Sequence, residues 1–168
     1  MASKTATCQF LALREVLPDM GSVQRLVQSI RTLVPARVSS SSLGNIAIEI
    51  QFPMYEPEAL DLEVGYLITG KAPKTCVLSE SRTLTLHELP AVDTLATVVH
   101  VGRIDGRHHS YGRLGGWLER NNMQIIGKGR EILLQLPGQG NGDEAVVEIQ
   151  LPVGKVEEKV RANEKLRA

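Results

Sequence analysis

The stretch "AVVEIQLPV" (145–153) reads as a strand with two unlike sides. Side chains alternate across an extended chain, so Ala145, Val147, Ile149, Leu151 and Val153 share one face. Glu148 stands on the other face, between Val146 and Gln150. A second stretch, "LDLEVGYLI" (60–68), repeats the pattern: with Glu63 laid on Glu148, Leu62 matches Val147, Val64 matches Ile149 and Ile68 matches Val153. Each is preceded by a strand ending in Gln-apolar-Pro, "NIAIEIQFP" (45–53) and "REILLQLP" (130–137). A helical segment precedes each of those. Before the helices lie two more strand-like runs, "FLALREV" (10–16) and "TLATVVHVG" (94–102). Strand, helix, strand, strand therefore occurs twice, and an internal repeat of this kind sets the fold.

The first helix is expected from a Ser22 cap, with Leu26, Val27, Ile30, Leu33 and Val34 on one stripe and Pro35 at its end. The second is expected over about 107–121, with Tyr111, Leu114 and Leu118 on one face and Trp117 beside them. "LTLHEL" (84–89) forms a further strand, whose counterpart in the first repeat only the N-terminal residues could supply. The polar link 69–82 reads as the boundary between halves. The charged tail 154–168 has few apolar anchors. Alternation places Glu49, Glu63, Glu131 and Glu148 together on the faces turned away from the helices. An antiparallel sheet commonly solvates one face, so each of these acids has that simple reading as well.

Composition narrows the function. With 42% apolar and 23% charged residues the chain is an ordinary globular one, long enough to bury a core without disulfides. Zero formal net charge disfavours a free-standing nucleic-acid binder. Cys8 and Cys76 are far apart and read as structural thiols of a reducing, cytoplasmic setting. No apolar run reaches the about 18 residues a membrane span needs. The histidines His87, His100, His108 and His109 lack the spacing that puts two metal ligands on one helix face, and His100 suits a structural role. "GKGRE" (127–131) lacks the order of a phosphate-binding loop, and "RIDGRHH" (103–109) reads as a loop and cap. Neither metal nor cofactor is implied.

"LDLEVGYLI", "RLGGWLERNNMQIIGKGREILLQLP" and "EAVVEIQLPV" resemble the GyrI-like small-molecule-binding family, as does "HELPAVDTLATVVHVG". That family includes the effector domains of BmrR-type and Rob-type bacterial transcription regulators and stand-alone relatives. The resemblance runs from about residue 10 to 153. It implies an α+β fold of two fused βαββ modules, related by a pseudo-two-fold, with a ligand cleft between them. Residues 1–153 would form this domain, repeat one covering about 10–68 and repeat two about 83–153. Its ligand would be a small amphipathic molecule, cationic or aromatic. Glu148 is the best match to the family's pocket acid and Glu131 to the acid opening its "RE-apolar" strand. Tyr111 and Trp117 would be aromatic walls with Tyr55 and Tyr66 behind them, and Glu63 the twin of Glu148. For Tyr66 and Trp117 core packing is the competing role. A hydrolase of cyclopropane-bearing cytotoxins, using Glu148 with Tyr111, is the alternative, and a gyrase-shielding protein the third. Regulatory output would pass through a fused or partner DNA-binding domain, with no direct nucleic-acid or membrane contact by these residues.

Overall fold

A computed structural model describes residues 2–51, 58–138 and 142–156. The strands are β1 (Ala2–Thr5), β2 (Cys8–Leu17), β3 (Leu43–Ile50), β4 (Leu60–Ile68), β5 (Thr75–Ser79), β6 (Arg82–Leu89), β7 (Val92–Arg103), β8 (Met123–Ile125), β9 (Arg130–Gln135) and β10 (Glu144–Lys155). Two helices, α1 (Met20–Leu33) and α2 (Arg107–Arg120), each follow the first long strand of a repeat. Every strand pairing is antiparallel, and the order is β1-β7-β10-β9-β3-β4-β2-β6-β5, with β8 on the end of β10. Repeat one is β2-α1-β3-β4 and repeat two β7-α2-β9-β10, joined where β3 pairs β9. This is the α+β double module that the repeat predicts.

Thr5 pairs with Val92 and Cys8 with Leu89, so the ladder β1·β7 continues without slippage into β2·β6. Residues 5–12 and 85–92 thus share one register, after a one-residue shift between Ser3 and Thr5, and these ladders join the two repeats a second time. β1 is the N-terminal counterpart of β6 that the repeat lacked in sequence. The link 69–82 is not merely a boundary, because it contains β5, whose Cys76 and Leu78 are buried.

The register also locates the pseudo-two-fold. Glu49 lies across from Glu63, and Ile132 across from Glu148. Glu49 and Ile132 are therefore equivalent places in the two repeats. In the β3·β9 pairing Glu49 meets Arg130, Ala47 meets Ile132, and Ile48 meets Glu131 between them. The dyad passes through the Ile48–Glu131 pair.

One row of directly paired residues crosses the helix-covered face: Leu13, Val64, Ile48, Glu131, Ile149, Val98. Its apolar members belong to the main core, with Val23, Leu26, Val27 and Ile30 of α1 and Leu114 and Leu118 of α2. The neighbouring row on the back face runs Ala12, Gly65, Ala47, Ile132, Glu148, Val99. Its first four places are close-packed around Phe10 and Leu89, forming a second small core. Gly65 is required there: a Cβ would lie 2.0 Å from the Leu11 carbonyl oxygen.

Three expectations are corrected. α1 begins at Met20, because Asp19 rather than Ser22 is the cap, its carboxylate accepting from the Ser22 amide at 2.7 Å. β10 carries on to Lys155, past the expected start of the tail at 154. Glu131 faces the helices, not the back. Leu133 pairs with Val147 while Gln135 pairs with Val146, so Leu134 is an extra residue that breaks the alternation. Counting back by two from Leu136 crosses this bulge and assigns Glu131 to the wrong side.

Candidate functional site

A cavity of about 730 Å³ lies between the helices and the middle of the sheet. Met20, Val23 and Gln24 of α1 wall one side, and Arg107, His108 and Tyr111 of α2 the other. Ile48, Ile50, Leu60, Leu62 and Leu151 give it a largely apolar lining, with Glu131 among them. Glu131 is 4% exposed. A buried carboxylate is costly unless it is paired and hydrogen-bonded. Both conditions are met from one helix face: Arg107 forms an ion pair with Oε1, and the Tyr111 hydroxyl donates to Oε2 at 2.6 Å. Arg107 and Tyr111 are one helical turn apart, which brings both to the same carboxylate. The Arg107 Nε also donates to the Ile104 carbonyl at 3.0 Å, which fixes the guanidinium.

The pseudo-symmetry makes the site one-sided. Glu131 has Ile48 as its equivalent. The two helices are of equal length, so Met20 and Gln24 stand where α2 places Arg107 and Tyr111. The same scaffold thus carries an ionic cluster on one side of the dyad and neutral side chains on the other.

Among the lining carboxylates, Asp61 and Asp105 join Glu131, against the single guanidinium of Arg107. Asp61 is held below the ordinary carboxylate range, first by the hydrogen bond from Arg14, at 2.9 and 3.0 Å. Asp105 is likewise lowered by its hydrogen bond from Arg103. Both acids keep their charge at neutral pH, each paired with an arginine as Glu131 is with Arg107.

The other expected site residues fall elsewhere. Glu148 is on the back face, half-buried, accepting from the Gln150 side-chain amide at 2.8 Å. Glu63, its twin, pairs with His87 on that same face. Trp117 is half-buried and packs against the main core, and Tyr66 is a buried core residue. Tyr55 lies outside the described residues. His100 is buried, its ring nitrogens bonded to the Ser110 hydroxyl at 3.0 Å and the Arg103 carbonyl at 2.8 Å, as a structural histidine would be. Of the expected residues, the fold brings Glu131 and Tyr111 together and leaves Glu148 apart. Arg107 was missed, although its spacing of four from Tyr111 was readable once both were placed on α2.

No protein-family model matches the chain, and no curated protein matches it by sequence. Solved structures do match. The EcmrR C-terminal domain superposes with a TM-score of 0.74 at 23% identity, over 93% of this chain and 97% of that one. In the EcmrR–DNA complex the TM-score is 0.75 at 22% identity, and this chain spans 57% of that longer chain. A hydrolase from Listeria innocua matches at 0.62 and 17% identity, over 91% of both chains. SAV2435, solved with tetraphenylphosphonium bound, matches at 0.56 and 10% identity, over 94% of this chain and 95% of that one. The chain therefore has the fold of the EcmrR C-terminal domain, the GyrI-like fold its sequence resemblance implied.

Proposed function

We propose that this chain binds a small amphipathic cation in the cavity between α1 and α2. The observation that carries this reading is Glu131, a buried carboxylate on the pseudo-dyad of an otherwise apolar row. Apolar walls favour a hydrophobic ligand, and the buried Glu131 carboxylate favours positive charge. SAV2435, which shares the fold, holds tetraphenylphosphonium, a cation of this class. Arg107 already neutralises Glu131, so a bound cation would share that carboxylate or replace the guanidinium. The protein would act as a sensor domain, linked to DNA through a fused or partner module, or as a sequestering protein.

Titration of tetraphenylphosphonium by calorimetry tests this. Glu131→Gln should weaken binding by about tenfold, equal to about 1.4 kcal/mol. Glu148→Gln should change it by less than about twofold, since that residue is on the other face. Equal binding by wild type and Glu131→Gln would overturn the assignment.

A second reading rests on the Tyr111–Glu131 hydrogen bond in an apolar cavity, where the Glu131 carboxylate could take a proton from a water as its oxygen opens a strained ring. The pair is Glu131 with Tyr111 rather than Glu148 with Tyr111. Incubation with a cyclopropane-bearing alkylator, followed by mass analysis for added water, tests it. Absence of the hydrated product leaves binding alone.

A further inference from the structure

A second chamber, of about 400 Å³, adjoins the first. The two share Met20, Val23, Gln24 and Ile48 from repeat one, and Ile104, Asp105 and Arg107 from repeat two. The first lies under α2, against the β3–β4 end of the sheet. The second lies under α1, against the β9–β10 end, with Val27, Leu133 and Leu136 as its apolar walls.

The chambers differ in charge. In the first, the acids Asp61, Asp105 and Glu131 are each paired with an arginine. The second has Arg31, Arg103 and Arg107 against Asp105 and Asp143. Arg103 is engaged with Asp105 at 3.3 Å, and Arg107 with Glu131. The Arg31 side chain makes no hydrogen bond or ion pair among the described residues. It is half-buried, on the α1 turn that roofs this chamber. A partly desolvated guanidinium above apolar side chains is a site for a carboxylate or another anionic group.

We propose that the second chamber is a ligand subsite for an anionic group, read by Arg31. The cleft as a whole then takes an elongated molecule, cationic at the Glu131 end and anionic at the Arg31 end. This rests on the cation-binding reading of the first chamber and adds the second end of the ligand.

Rhodamine 6G and its free acid, rhodamine 19, share one cationic xanthene and differ only in an ester against a carboxylate. Fluorescence anisotropy titrations of both dyes against wild type, Arg31→Gln and Glu131→Gln test the proposal. Wild type should bind the acid more tightly than the ester. Arg31→Gln should weaken the acid by about fivefold and the ester by less than about twofold, removing the preference. Loss of both dyes to the same extent in Arg31→Gln, or an unchanged ratio, overturns the second subsite. Glu131→Gln reports separately on the first chamber: weakening of both dyes supports that reading, whatever Arg31→Gln does. Thermal melts of the variants show whether each is folded, and Arg31→Lys, which keeps the charge, should retain part of the preference.

Discussion

Glu131 and Glu148 lie on adjacent strands, one residue out of register, and face opposite ways. The row through Glu131 is apolar on both sides of it and covered by two helices. The row through Glu148 is close-packed over Ala12, Gly65, Ala47 and Ile132, then opens to solvent at Val99, which is 47% exposed. Identical side chains thus have unlike surroundings. One needs a guanidinium and a phenol to be tolerated at all, while the other is satisfied by a neighbouring glutamine. What makes a carboxylate a candidate contact is the burial of its row rather than its chemistry.

The sharpest way to break this contrast is at Gly65, where the back-face row is tightest. Gly65→Ala puts a methyl into the Leu11 carbonyl and should cost about 4 kcal/mol or more, or prevent folding, as read by urea denaturation. Next comes Glu131→Ala, which strands the Arg107 guanidinium in the cavity and should cost about 3 kcal/mol. The double variant Glu131→Leu with Arg107→Met should recover most of that loss while removing cation binding. That outcome would separate the site's stability from its function. Glu148→Ala should change stability by no more than about 0.5 kcal/mol; a loss comparable to that of Glu131→Ala would erase the distinction between the rows.

The smallest effect is electrostatic. The Asp61 carboxyl, followed by NMR, should titrate below the ordinary value of about 3.9 and return toward it in Arg14→Gln. Because its folded value is depressed, its small contribution to stability is present above about pH 3.9. It is lost as pH falls through the folded value.

Much of the architecture was legible because apolar alternation survives in β2, β3, β4, β7 and β10, and the two helices have clear stripes. What was hidden had local causes. β1 is "ASKT", polar and short, and becomes a strand only because β7 and β2 supply its register. β5 is embedded in a polar link and is recognisable only from its partner β6. Asp19 was overlooked because Ser22, three residues on, is an equally good capping type and is in fact the amide it caps. The side taken by Glu131 was lost at one bulge residue, Leu134. Alternation carries no record of an inserted position, and a one-residue slip reverses every side chain before it. The family resemblance pointed to both Glu148 and Glu131, and the paired rows place Glu131 at the cavity and Glu148 on the back face.

The ladder that joins residues 2–12 to 85–96 has a kinetic consequence. Either repeat alone could form its local hairpin and dock its helix, but neither could close the sheet. Closure joins Ala2 to Ala96 and Cys8 to Leu89, contacts that span half of the chain. Such distant pairings are slow to find, and the unclosed intermediate would leave β2 and β7 with bare, apolar edges. The cavity between the helices is walled by both repeats across the β3·β9 seam, so ligand capture would begin only after the repeats have paired there.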